Sequence, residues 1–145
     1  MPLRFADIAV GRTFRSPEHV VTAKDIKAFA AEYDPQPFHL DDAAADVGPF
    51  HGLAASGWHT AAITMRLLVQ GEMQLAGGVV GAGIDELRWQ RPVRPGDVLT
   101  VTSEVLEVIP SGSRPGQGRL RVACLTTLVD GTPVQSMIAT LVLRG

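Results

Sequence analysis

The stretch from Ser56 to Gln70 constrains this chain more than any other. Its fifteen residues carry one charge, Arg66, and Trp58, Ala61, Ala62, Ile63, Met65, Leu67, Leu68 and Val69 cover nearly every face of a helix. A helix that is apolar all round has to be buried. It is also shorter than the roughly 20 residues a bilayer span requires, so its partner is protein. A sheet broad enough to curl around it is the natural one, and Ser56 supplies an N-cap.

The second half of the chain provides that sheet. Val79 to Gln90, Asp97 to Ile109, Gly118 to Val129 and Pro133 to Leu143 are rich in Val, Leu, Ile and Thr, with turn signals between them. Val129-Asp-Gly-Thr132 reads as a two-residue hairpin, so the four strands are predicted to form an antiparallel meander. Upstream, Phe5 to Val10 and Phe14 to Val21 allow one or two short strands. Thr22 and Asp25 form a capping-box pattern, and Ile26, Phe29, Ala30 and Tyr33 recur at helical spacing, predicting a helix over 23–33. Pro35 ends it. Pro35 and Pro37 push Asp34 and Gln36 out of the helical region, so 34–38 is predicted to be extended or turning. A short helix follows over 41–47, stopped by Gly48-Pro49.

The fold class expected from this order is α+β, one domain over 1–145, with an antiparallel sheet wrapped around a central apolar helix. Such a sheet leaves an edge, and a second copy of the chain is expected to close it, giving a homodimer or higher homo-oligomer.

Charge narrows the partners. Thirteen basic against fifteen acidic residues leave a net −2, and no run of Lys or Arg offers the footprint that nucleic acid or an anionic membrane demands. The single cysteine, Cys124, excludes an intrachain disulfide. Arg4 and Asp7 interrupt the start where a signal peptide needs its apolar stretch, so the expected compartment is the cytoplasm.

Gly-x-Gly-x-x-Gly, the phosphate-binding loop and the Gly-x-Ser-x-Gly elbow are absent from the sequence, which leaves acid-base chemistry as the open class. Asp34 and His39 stand five apart across two prolines, and a stiff backbone can aim a carboxylate and an imidazole at one water. The plainer alternative is a turn-forming Asp34 beside a satisfied His39. Ser56 and Gly57 open the apolar helix, where unpaired N–H groups and the positive dipole end make a candidate oxyanion site, or simply a cap. His51 and His59 lack metal-binding spacing, and neither metal nor cofactor is expected.

The segment Asp34-Pro-Gln-Pro-Phe-His39-Leu-Asp41 resembles the Asp-x-Asn-Pro-x-His-x-Asp signature of MaoC-like dehydratases, the (R)-specific enoyl-CoA hydratases with a hotdog fold. The helix before it, the run to Ala55-Ser-Gly57, the apolar helix and Leu87-Arg-Trp-Gln-Arg-Pro-Val-Arg-Pro-Gly-Asp97 are similar in type and order. Gln36 stands where that family usually has Asn. The resemblance implies reversible hydration of a 2-enoyl thioester carried on CoA or acyl carrier protein. It assigns the water to Asp34 and His39, the thioester oxygen to Gly57 N–H, and substrate contacts to Ser56, Trp58 and Met65. Bulky Trp58 and Met65 then imply a short or branched acyl chain. A hotdog thioesterase is the rival enzyme, although the helix lacks the acidic residue such enzymes commonly carry. A noncatalytic acyl-thioester binding subunit is the rival from another class.

Overall fold

The computed structural model describes residues 1–144. Six strands build one antiparallel sheet: β1 (Thr13–Arg15), β2 (His19–Val20), β3 (Val80–Arg88), β4 (Val98–Pro110), β5 (Gly118–Leu128) and β6 (Pro133–Leu143). The order across the sheet is β1-β4-β5-β6-β3, with β2 also on β4.

The last three strands form the expected meander, but β3 does not join β4. It pairs with β6 on the far side, while β4 gives its free edge to β1 and β2. The cause is the Trp89–Asp97 connection, which crosses the N-terminal end of the central helix, where Ala55 N–H bonds Val93 O at 2.9 Å. The turn between β5 and β6 is also longer than two residues. Leu128 N–H reaches Thr132 O at 2.9 Å around a loop whose last residue, Gly131, has φ +90°. Phe5–Asp7 is a 3-10 turn, where a strand was expected.

Alternation decides which sheet face meets the helix. Leu99, Val101 and Val105 of β4, Leu120, Val122 and Cys124 of β5, and Met137, Ala139 and Leu141 of β6 are buried at every second position. Burial pushes the Cys124 thiol up to about 12, which leaves it unreactive as a nucleophile.

The described residues hold four helices, α1 (Ala23–Tyr33), α2 (Pro37–Leu40), α3 (Asp42–Asp46) and the central α4 (Gly57–Gln70), of which α4 packs on β4 and α1 on α4. Thr22 caps α1 by accepting from Asp25 N–H at 3.1 Å. Asp34 and Gln36 are non-helical as the prolines require, but Pro37 then begins a one-turn helix, because a proline ring suits the first helical position. Asp41 closes that turn and caps α3, accepting from Ala44 N–H at 2.9 Å.

The central helix is not covered on every side. Thr60, Ile63, Thr64, Leu67 and Leu68 are buried, whereas Trp58 (59% exposed), Met65 (37%) and Val69 (49%) form a bare stripe. A sheet curls around only part of a helix, so full apolarity exceeds what this chain alone can bury. Among the described residues no helix is long and apolar enough to cross a membrane.

Candidate active site

His39 is held before it meets anything else. Its α2 turn buries it to 4% exposure, and Phe38 and Phe50 flank the ring at centroid distances of 4.6 and 6.2 Å. Nδ1 lies 2.6 Å from Ala54 O. A carbonyl only accepts, so Nδ1 carries a proton, and in the neutral ring Nε2 is the acceptor. The segment leading to that carbonyl is tied by Arg94, which donates to Leu53 O at 3.3 Å and to Phe50 O. That arginine opens the turn Arg94-Pro95-Gly96-Asp97, with Gly96 at φ +89° and Asp97 Oδ2 accepting from Arg94 N–H at 2.8 Å.

Asp34 Oδ2 lies 3.4 Å from His39 Nε2. Gln36 Nε2 donates to the other oxygen, Oδ1, at 2.5 Å. Desolvation raises the Asp34 carboxyl, but the Ser56 hydroxyl, the Gln36 amide and His39 together outweigh it and hold the group below its ordinary value. The ionised carboxylate and the Nε2 of the neutral ring are both acceptors. Two acceptors this close can each take one O–H of a single water.

Ser56 is fully buried, and its Oγ accepts from Trp58 N–H at 3.2 Å, capping α4. Gly57 N–H has no hydrogen-bond partner among the described residues. It opens a cavity of about 360 Å³ lined by His39, Phe50, Gly57, Thr60, Trp89 and the 90–93 segment. The chain thus brings His39 and Gly57 onto one cavity, while Asp34 lies against His39 and Ser56 precedes Gly57, both outside the lining. Trp58 and Met65 are elsewhere. Both project from the bare stripe of α4, outside that lining, so the acyl-chain limit expected of them does not follow from their positions.

The bulky wall is Trp89, a residue that no sequence motif marks as part of a site. A Cβ built on Gly57 would lie 2.5 to 2.7 Å from three carbons of its indole, so only glycine allows this approach. The signal was present in Leu87-Arg-Trp-Gln-Arg-Pro, but nothing local tells which side of a connection a tryptophan takes. His59 stays apart from this cavity. It stacks on Phe29 at 4.7 Å, and burial, opposed by Asp25 and reinforced by His19, lowers its pKa.

A curved antiparallel sheet around one central helix is the hotdog fold, here carrying an Asp-His pair at the helix entrance. Residues 5–124 match the family model described as MaoC like domain, and the chain belongs to that family. It is 52% identical to the MaoC-like dehydratase from Rhodospirillum rubrum, with a TM-score of 0.93 over 99% of each chain. The R-hydratase PhaJ1 from Pseudomonas aeruginosa is 28% identical, with a TM-score of 0.80 over 99% of this chain and 86% of that one. The 3-hydroxybutyryl-CoA dehydratase of Methylorubrum extorquens is 31% identical over 88% of this chain and 76% of its own length. The family includes homologues named as hydratases and dehydratases.

Proposed function

We propose that this protein reversibly hydrates a 2-enoyl thioester carried on CoA or acyl carrier protein, within a single MaoC-like domain spanning 1–145. The observation that carries this reading is the 3.4 Å approach of Asp34 Oδ2 to His39 Nε2 beside a cavity shared by His39 and Gly57. One water donates to both groups. Its oxygen bonds to C3, its proton passes to Nε2, and the C2–C3 π pair moves toward the thioester oxygen. Gly57 N–H receives that enolate oxygen, aided by the α4 dipole. The imidazolium, steadied by the Asp34 carboxylate, then returns a proton to C2, and the catalyst is restored.

The test is loss of the conjugated-thioester absorbance when purified protein meets crotonyl-CoA, run beside an assay for free thiol. Loss of conjugation without thiol supports hydration; thiol release would establish the thioesterase instead. Against that rival stands the sequence of α4, which contains no carboxylate. Absence of both signals from the folded chain would favour a noncatalytic binding subunit.

The working form proposed is a homodimer or larger. β3 leaves one edge unpaired, and Val80 and Ile84 on it are each 50% exposed. The bare α4 stripe meets this region where Trp58 packs edge-to-face on Trp89, at 5.4 Å. An unpaired strand edge beside an apolar stripe is a surface that soluble proteins cover. Light scattering at micromolar concentration is expected to give at least twice the 15.4 kDa chain mass; an active, well-folded monomer would refute the dimer.

A further inference from the structure

The indole of Trp89 is clamped, and the clamp runs through the protein interior. Trp89 Nε1–H donates to Gln135 Oε1 at 2.9 Å. An indole only donates, so the Gln135 oxygen must face it, and the amide nitrogen turns to Thr64 Oγ1 at 3.0 Å. Thr64 Oγ1 donates to Thr60 O at 2.9 Å, so it accepts from Thr126 Oγ1 at 2.7 Å. Gln135, Thr64 and Thr126 are fully buried, and each of their polar side-chain atoms has a hydrogen-bond partner. A glutamine amide in an apolar core costs stability unless satisfied, and a valine or leucine would fill β6 more simply. What the amide holds is a ring laid on Gly57, the residue at the mouth of the oxyanion site.

We propose that Trp89, clamped by Gln135 and Thr64, is the wall that sets how long an acyl chain the cavity accepts. The inference rests on the thioester reading above and goes beyond it by naming the specificity-determining residue and the residue that positions it. Trp89 is the largest side chain lining the cavity and lies against Gly57, so a bound acyl group passes it near the reacting carbons. A mobile tryptophan could swing aside for a long chain; one tied by its N–H to a buried amide cannot do so without breaking a satisfied network. Gln135 is a positioning residue: it lies outside the cavity lining and acts through its hydrogen bond to Trp89.

The experiment compares twelve-carbon with four-carbon thioesters in wild type, Trp89→Leu and Gln135→Leu. It reads the ratio of kcat/KM for the enoyl-CoAs and, by calorimetry, the ratio of affinities for the saturated, unreactive acyl-CoAs. Trp89→Leu is expected to raise both long-to-short ratios by ~10-fold or more, the discrimination a single methylene can carry in an apolar pocket. Gln135→Leu is expected to move them the same way by a smaller factor, which a purely structural role would not do. If Trp89→Leu does not fold, Trp89→Phe, which keeps a ring but loses the tether, is expected to show a reduced shift in the same direction. Unchanged ratios in folded Trp89 variants overturn the inference. Acyl-CoA binding with shifted ratios but no hydration would overturn the reaction and leave Trp89 standing. No binding of either acyl-CoA by wild type would overturn both.

Discussion

Replacing Asp34 by Asn or His39 by Ala is expected to lower hydration turnover by ~10²-fold or more, the usual scale for a positioned acid-base group. The two substitutions should differ in what else they do. Asp34 sits at the end of α1 with its carboxylate partly open, so Asp34→Asn keeps the shape and exchanges an acceptor for a donor facing His39 Nε2. His39 is buried and bonded to Ala54 O, so His39→Ala also leaves that carbonyl without its donor, at a cost of about 1–3 kcal/mol. Circular dichroism and denaturant titration therefore accompany the kinetics. A folded variant of either residue with near-wild-type turnover would remove that residue from the mechanism.

The charge of Asp34 adds a pH signature. Its folded-state pKa lies below the ordinary value of 3.8, so it contributes stability that is fully present above that value and is lost as pH falls through the folded one. Between pH 5 and 8 the carboxylate stays ionised and contributes no slope. Relative to Asp34→Asn, the wild type should lose stability as pH falls below about 4; a difference that stayed constant through that acid range would mean the carboxyl is not held below its ordinary value.

What could be read from the chain alone was what its neighbours in sequence decide. α1 runs over Ala23–Tyr33 because Thr22 caps it and Pro35 forbids continuation, and both causes lie within a few residues of the ends. Asp34 and His39 were legible as a pair because five residues and two prolines leave them little freedom. The acceptor that orients His39 was not, since Ala54 contributes only a backbone carbonyl and any residue has one. The positions of Trp58 and Met65 outside the cavity lining were not legible for a related reason: a helix apolar all round has no periodicity to say which face meets a cavity. Trp89 and its clamp were hidden by distance, Gln135 being 46 residues from Trp89 and 71 from Thr64. The order of β3 in the sheet is likewise a nonlocal fact, set by the path of the 89–97 connection around the entrance of α4.

Gly57→Ala is expected to be the most informative single methyl group that can be added to this protein. The new Cβ would stand 2.5 to 2.7 Å from Cε2, Cδ2 and Cζ2 of Trp89, where ordinary contact begins near 3.4 Å. Relief requires the ring or the first turn of α4 to move by roughly 1 Å, and a displacement of that size at a reacting centre can cost ~10²-fold in rate. Overpacking of this kind also costs about 1–3 kcal/mol of stability. The ring cannot retreat freely, because its N–H is tied to Gln135, so the turn bearing the Gly57 N–H takes part of the movement. The substitution removes no hydrogen-bond donor, so a loss of turnover comes from displacement of the Gly57 N–H or of the Trp89 wall. Adding Trp89→Leu takes away the atoms in conflict, and the double variant should be more stable than the sum of the single effects by ~0.5–3 kcal/mol. A Gly57→Ala protein that matches wild type in melting temperature and turnover would show that the indole does not press on Gly57 and that the N–H at this turn is not where the thioester oxygen is received.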